Sequence, residues 1–370
     1  MKIIHCADLH LDSQLTTHLA PKKARERRAE LLSNFSRLVD YAWNNKVAAI
    51  VIAGDLFDTP IISVTARNLV LDNIKKYPSL QFYYLTGNHE NDSLTTTISK
   101  LPSNLHLFTA DWRSYCLNPT SNWPVVISGV DLNNPAFQPP LTVPNLAATN
   151  FNLVVLHGQI SAYHQTNQSE NIALEDLQNS QIDYLALGHL HQFQSGDLSP
   201  KGKYCYAGCL EGRGFDELGQ HGFVELTIDE KLHQWNFHFV PFAQRELFEI
   251  KVEITDCKTT SAVLEKIKET LKQAKIATSS LLKIILFGQV SLDSEHDLTQ
   301  LQTDLNSDYY LVKLVDQSTA QVDYTMFAGD ISLKGEFVRL VQQDQELDET
   351  QRAAIVKCGL QALNGEDLQI

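Results

Sequence analysis

Short apolar runs, each closed by a glycine, carboxylate or histidine, set the rhythm of the first half of the chain. They fall at 2–6, 48–53, 81–86, 151–156 and 184–187 and are rich in Ile, Val, Leu and Tyr. Runs this short, dense in β-formers and bounded by turn residues, predict buried strands. Between the first two, Leu31, Leu32, Phe35, Leu38, Val39, Ala42 and Trp43 share one face at helical spacing. A second helix is expected over Ala66 to Lys76, with Ser63 as its cap. Strand alternating with helix is the pattern of an α/β fold. Later runs at 203–207, 222–228 and 235–242 have no long helix between them. They predict a second, antiparallel sheet packed on the first, with helices outside.

The rhythm restarts after Pro241. Phe248, Ile250, Val252 and Ile254 alternate as in a half-buried strand; Leu264, Ile267, Leu271 and Ala274 form a helical stripe. Leu281 to Phe287 reads as a strand, Leu298, Leu301 and Leu305 as a shorter helix, and Tyr309 to Val315 as a last strand. Together they make a βαβαβ unit. From Gly335 to Ile370 two helices are expected, joined by the polar stretch Gln342 to Glu349. The chain thus divides into a main domain (1–242), a substrate-shaping cap (243–325) and a C-terminal helical tail (326–370).

Composition narrows the class without naming a function. With 370 residues, 43% hydrophobic and 20% charged, the chain has the make-up of a globular protein with room for a second domain. The apolar stretch Val47 to Ala53 is far short of the roughly 20 residues that span a bilayer, so no membrane role is expected. The N-terminus meets Asp8 too early for a signal peptide. Six cysteines without C-x-x-C spacing read as reduced thiols, which predicts a cytoplasmic protein. The net charge of −14 is unfavourable for nucleic acid, but 15 acidic against 5 basic side chains follow position 291, leaving −4 for the rest. Two basic stretches, Lys22 to Arg28 and Lys258 to Lys283, could track a phosphate backbone. Either alone is more ordinarily a solvated helix face.

Chemistry enters where the apolar runs end. Asp8 and His10 follow the first run, Asp55 the second, Asn88 the third, His157 the fourth, and His189 and His191 the fifth. Loops beyond the carboxyl ends of strands in an open α/β sheet converge on one crevice, so these seven donors can share a site. Glycines at 54, 87, 158 and 188 suit a backbone that turns sharply beside a metal. Carboxylate, imidazole and amide donors, with no thiolate, favour Mn²⁺ or Fe²⁺ over structural zinc. A lone Asp-x-His is ordinarily a capped turn. Five fragments in strand order point instead to two divalent cations that serve phosphate-ester cleavage.

The series Asp8-x-His10, Gly54-Asp55, Gly87-Asn88-His89, His157 and Gly188-His189-x-His191 resembles the calcineurin-like metallophosphoesterase superfamily. Asp8-Leu9-His10-Leu11-Asp12-Ser13, Gly54-Asp55-Leu56-Phe57-Asp58 and Gly212-Arg213-Gly214-Phe215-Asp216-Glu217-Leu218-Gly219 are similar to its SbcD/YhaO-like branch of bacterial DNA repair exonucleases. The likeness covers residues 1–242 well and the cap in outline. It implies a four-layer αββα sandwich with a small cap and C-terminal helices. It also implies a dinuclear site with one metal on Asp8, His10, Asp55 and His191 and the other on Asp55, Asn88, His157 and His189. His89 would act as the catalytic acid or charge stabiliser, and Asp12 and Asp58 would orient ligand histidines from behind. Arg213, His164 and Tyr163 are candidate substrate contacts. Implied partners are DNA, an SMC-like coiled-coil ATPase docking on the tail helices, and a second copy of the chain as homodimer.

Two positions depart from the wider superfamily. Glu90 follows Asn88-His89 where most members have Asp, and Asp58 stands where archaeal and eukaryotic relatives of the nuclease have His. The reading that follows is a Mn²⁺-dependent phosphodiesterase acting on DNA. The alternative is a phosphodiesterase or phosphatase for a small molecule or phosphoprotein, using the same metals.

Overall fold

A computed structural model describes residues 1–365 except 16–18, 60, 91–93, 95–100, 163–170, 178–180, 199–200 and 293. The chain divides into two compact units, Met1–Gln244 and Arg245–Ile370.

The first unit begins β1 (Lys2–Cys6), α1 (Pro21–Asn44), β2 (Ala49–Ala53), α2 (Val64–Lys76), β3 (Gln81–Leu85), β4 (Leu105–Leu107), β5 (Arg113–Cys116), β6 (Val125–Gly129) and β7 (Phe151–His157). There follow β8 (Gln159–Ser161), β9 (Asn171–Ala173), the one-turn α3 (Leu174–Leu177), β10 (Tyr184–Gly188), β11 (Gln194–Leu198), β12 (Gly202–Tyr206), β13 (Gly222–Asp229) and β14 (Gln234–Pro241). The Ser63 hydroxyl accepts from Ala66 N–H at 3.1 Å and starts α2 where the sequence places its cap.

Two six-stranded sheets result, in the orders β14-β13-β1-β2-β3-β4 and β11-β12-β10-β7-β6-β5. The period of two along each strand sorts the layers. Ile4, Cys6, Ile50 and Ile52 face α1 and α2; Ile3, Val51, Leu153, Val155, Tyr184 and Ala186 meet between the sheets. Val154, Leu156, Leu185 and Leu187 face outward again, under α3 and the segment from Val130 to Leu146. Because both faces of each central strand are covered, the runs read as continuous apolar stretches rather than alternating ones.

The run at 222–241 corrects the expectation of a separate antiparallel sheet. β12 pairs parallel to β10 in the second sheet, whereas β13 pairs antiparallel to β1 and carries β14 with it. The edge of β1 otherwise presents unpaired backbone groups, and the β13–β14 hairpin satisfies them.

The second unit contains β15 (Leu247–Glu253), α4 (Thr260–Gln273), β16 (Leu281–Phe287), β17 (Gln289–Ser291), α5 (Leu298–Asp308), β18 (Leu311–Asp316) and β19 (Thr319–Gln321). β15, β16 and β18 form a parallel sheet whose core joins Val252, Leu282 and Ile284 to Ile267 and Leu271 of α4 and Leu301 and Leu305 of α5. Helices α6 (Leu333–Gln343) and α7 (Glu349–Asn364) follow, and Asp348 with Gln351 forms a capping box at the start of α7. Val338, Val341 and Val356 close a small core of their own.

Candidate metal centre

The parallel strands deliver the candidate donors to one end of the sandwich. Asp8, Asp55 and Asn88 lie just beyond β1, β2 and β3; His157 closes β7, and His189 follows β10. The first two loops are zipped together by backbone bonds from Asp8 N–H to Gly54 O (3.1 Å) and from His10 N–H to Asp55 O (3.0 Å). Asp8, His10, Asp55 and His189 hold φ angles of 52°, 44°, 50° and 102°. Such left-handed conformations cost residues bearing a Cβ on the order of 1–3 kcal/mol each, and persist where the surroundings over-determine them. Gly54, at φ 94°, is needed for closeness as well, since a Cβ there would stand 2.1 Å from His157 Nδ1. A Cβ on Gly87 would stand 2.0 Å from Asp55 Oδ1.

Hydrogen bonds behind the rings settle where the donors aim. His157 Nδ1 faces the Ala53 carbonyl oxygen at 2.9 Å; that oxygen only accepts, so the ring proton sits on Nδ1. The Nε2 lone pair then faces Asn88 Oδ1 at 3.0 Å and Asp55 Oδ2 at 3.5 Å, both acceptors. His10 Nδ1 lies 3.0 Å from Asp58 Oδ1, and His191 Nδ1 lies 2.6 Å from Glu217 Oε1. Glu217 claims the His191 ring proton and Asp58 is the acceptor beside His10 Nδ1; with both protons on Nδ1 the two Nε2 lone pairs confront one another at 3.4 Å. Asp8 brings a carboxylate oxygen within 4.8 Å of donors on His10 and His191, and another grouping joins Asp8, Asp55 and His157. The His189 ring stands 5.6 Å from that of His157, centroid to centroid, and the His189 backbone N–H donates to both Asp8 oxygens at 3.0 and 3.1 Å.

Buried acceptors aimed at acceptors repel one another unless a cation lies between them. The residues therefore fit divalent metal ions. Burial, and next the Asp55 charge, push the Asp8 carboxyl well above the usual carboxylate range. Burial lowers His10 to about 4, which keeps its ring neutral and its lone pair available.

Behind the donors stands a second set of polar groups. Arg213 Nη1 donates to Asp58 Oδ1 (2.8 Å), while its Nε and Nη2 lie 3.2 and 3.1 Å from Glu217 Oε1. Burial works to raise Glu217, but the His191 hydrogen bond and the Arg213 guanidinium bring it down to about 2. Asp58 is held below the usual range against the same burial, by His10 and then Arg213. Asp12 accepts from Asp58 N–H at 2.8 Å and so reaches the histidine one step removed. Glu90, buried and pushed up to about 8 by that burial, accepts from Leu56 N–H at 2.5 Å and from the Tyr84 hydroxyl. It fixes the backbone just past Asp55. His89 N–H donates to Asp55 Oδ1 at 3.1 Å, and its exposed ring lies 5.1 Å from that of His10.

A family model for calcineurin-like phosphoesterases matches residues 1–193, the stretch that contains all seven donors. The chain belongs to the calcineurin-like phosphoesterase family. It is a hydrolase of phosphoester bonds built around a dinuclear metal site. This phosphoesterase is similar to the uncharacterized metallophosphoesterase YhaO of Bacillus subtilis, 24% identical over 78% of this chain and 72% of the relative. It is also similar to two proteins named DNA double-strand break repair protein Mre11. That of Aeropyrum pernix is 23% identical over 79% of this chain and 73% of its own, that of Sulfolobus acidocaldarius 23% over 82% and 79%.

The structure gathers Asp8, His10, Asp55, Asn88, His157, His189 and His191 at one strand edge of the phosphoesterase unit, with Asp58 and His89 beside them. His164 and Tyr163 lie outside the described residues. Arg213, a candidate substrate contact in the sequence, instead directs its donors at Asp58 and Glu217. Glu217 was not legible as a site residue. Asp216 and Glu217 both follow Arg213 by one turn, and only the folded loop shows which carboxylate meets His191.

Proposed function

We propose that this phosphoesterase is a metal-dependent DNA nuclease, cutting phosphodiester bonds as an exo- or endonuclease in DNA repair, with Mn²⁺ or Fe²⁺ as its metal. The observation that carries the reading is the reach of the likeness. Both relatives named for DNA double-strand break repair align with 79% and 82% of this chain. That span is longer than the Met1–Gln244 unit, so it includes part of the unit that follows the catalytic one. We read that second unit as serving a polymeric substrate.

Asp8, His10, Asp55 and His191 would hold one ion and Asp55, Asn88, His157 and His189 the other. When bound, the two ions supply a water nucleophile at neutral pH and Lewis-acid stabilisation of the phosphoryl oxygens. Asp58, Glu217 and the Ala53 carbonyl, beside Nδ1 of His10, His191 and His157, keep those three imidazoles in the tautomer that offers Nε2. His89, exposed beside His10 and tied to Asp55 through its own N–H, gives a proton to the departing oxygen. Leu340, Ile355 and Leu363, exposed on α6 and α7, offer an apolar surface to an SMC-like coiled-coil ATPase.

The deciding experiment incubates Mn²⁺-loaded protein with labelled duplex and single-stranded DNA beside bis-p-nitrophenyl phosphate. Cleavage of both polymer and small ester is expected. Hydrolysis of the ester with DNA left intact would overturn the nuclease reading in favour of a small-molecule or phosphoprotein esterase.

A further inference from the structure

We propose that Arg213 is a positioning residue for one metal position only, acting as a clamp on the two carboxylates that aim His10 and His191. The inference rests on the dinuclear reading of the site. It deepens that reading by separating the two positions according to what stands behind their imidazoles.

One guanidinium reaches both carboxylates: Nη1 to Asp58 Oδ1 at 2.8 Å, Nε and Nη2 to Glu217 Oε1 at 3.2 and 3.1 Å. Each of those same oxygens also faces a histidine, Asp58 Oδ1 on His10 Nδ1 and Glu217 Oε1 on His191 Nδ1. The fork therefore sets the separation of two carboxylates, and through them the 3.4 Å between the Nε2 atoms. Its charge also balances two anions that would otherwise repel each other and draw towards the metals themselves. The planar, two-armed guanidinium matches this task where an ammonium does not.

The clamp is anchored from outside. Its loop begins at Glu211 and Gly212, and the fully buried Arg27 of α1 donates to Glu211 Oε1 (2.8 Å) and to the Gly212 carbonyl (2.7 Å). At its far end Glu217 Oε2 accepts from the Arg213 N–H at 2.6 Å, which closes the turn on itself. His157, at the other position, is oriented instead by the Ala53 carbonyl, 2.9 Å from its Nδ1. Loss of Arg213 should consequently be felt at one position and not the other.

The test titrates metal-free protein with Mn²⁺, following free and bound ion by electron paramagnetic resonance, with no nucleic acid present. Wild type should take up two ions and show the signal of an exchange-coupled pair. Arg213→Met should keep one ion at near wild-type affinity and bind the second about 10- to 100-fold more weakly, the usual loss when a group behind a ligand is removed. Arg213→Lys, which keeps the charge but not the fork, should restore only part of that affinity. Circular dichroism of each metal-free variant checks the fold, and Glu217→Gln supplies a second, milder lesion expected to weaken the same single ion. Equal weakening of both ions, or unchanged binding of both with a raised KM for substrate, would overturn the clamp. Failure to cleave DNA would overturn the nuclease reading while leaving these results standing.

Discussion

At the residue scale, Asp55 stands where the constraints meet. Its backbone is left-handed at φ 50°, its Oδ1 accepts from His89 N–H, and its Oδ2 lies 3.5 Å from His157 Nε2 and 3.8 Å from His10 Nε2. A carboxylate facing both halves of the site is suited to bridge two ions, so Asp55→Asn should abolish turnover and lower metal content together. His89 differs because its ring is exposed, whereas His10 and His157 are buried. His89→Gln should keep both ions and slow ester hydrolysis by about 10²–10⁴-fold, the usual contribution of a proton donor. Elemental analysis beside rate measurement separates these outcomes, and a metal-free His89→Gln protein would refute the ligand assignment. These donors were legible because each follows an apolar run within four residues. Glu90 was legible only as a departure from Asp. Its task, holding Leu56 N–H behind Asp55, depends on a contact 34 residues away that no local pattern encodes.

Between elements, the two sheets are joined by a polar contact inside an otherwise apolar layer. His5 of β1 faces the Tyr184 hydroxyl at 2.9 Å and the Leu187 carbonyl at 3.2 Å, both on β10. Burial lowers its pKa from 6.5 to about 3. The unfolded chain thus takes up a proton near pH 6.5 that the folded protein refuses until about pH 3. Stability should fall as pH drops below 6.5 and the loss should level off near 3, by on the order of 5 kcal/mol from this residue. His5→Gln keeps the hydrogen bonds without the titration. Denaturant unfolding of chelated protein across that window should therefore show a shallower decline for the variant, and parallel curves would refute a buried neutral His5. Strand existence and most helix limits could be read from periodicity, because burial on one or two faces writes itself into local sequence. Sheet membership could not. The hairpin of β13 and β14 has the alternation of any antiparallel pair, and its attachment to β1 is a pairing across more than 200 residues.

For the whole molecule, the proposed nuclease reading assigns the chemistry to the first unit and the choice of substrate to the second. All seven donors, Asp58, Glu90, Arg213 and Glu217 fall within Met1–Gln244, along with both large sheets and the core between them. The last residue of that unit is part of its fabric: Gln244 N–H donates to Glu211 Oε2 at 2.6 Å, and its side-chain amide to Asn34 Oδ1 of α1 at 2.8 Å. A boundary at 242, as hydropathy alone suggests, would strip a partner from Glu211 and loosen the loop that carries Arg213. The tail shows the same limit of pattern reading, since Val338, Val341 and Val356 of its apolar stripe are spent on an internal core, and Leu340, Ile355 and Leu363 remain outside. A protein ending at Gln244 should bind two ions and hydrolyse bis-p-nitrophenyl phosphate at close to the full-length rate. If the second unit serves the polymer, as proposed, kcat/KM on DNA should fall by at least about tenfold. Undiminished DNA cleavage by Met1–Gln244 would show that the catalytic unit selects the polymer unaided, and a loss of ester hydrolysis in step with DNA cleavage would show that the second unit serves the metals rather than the substrate.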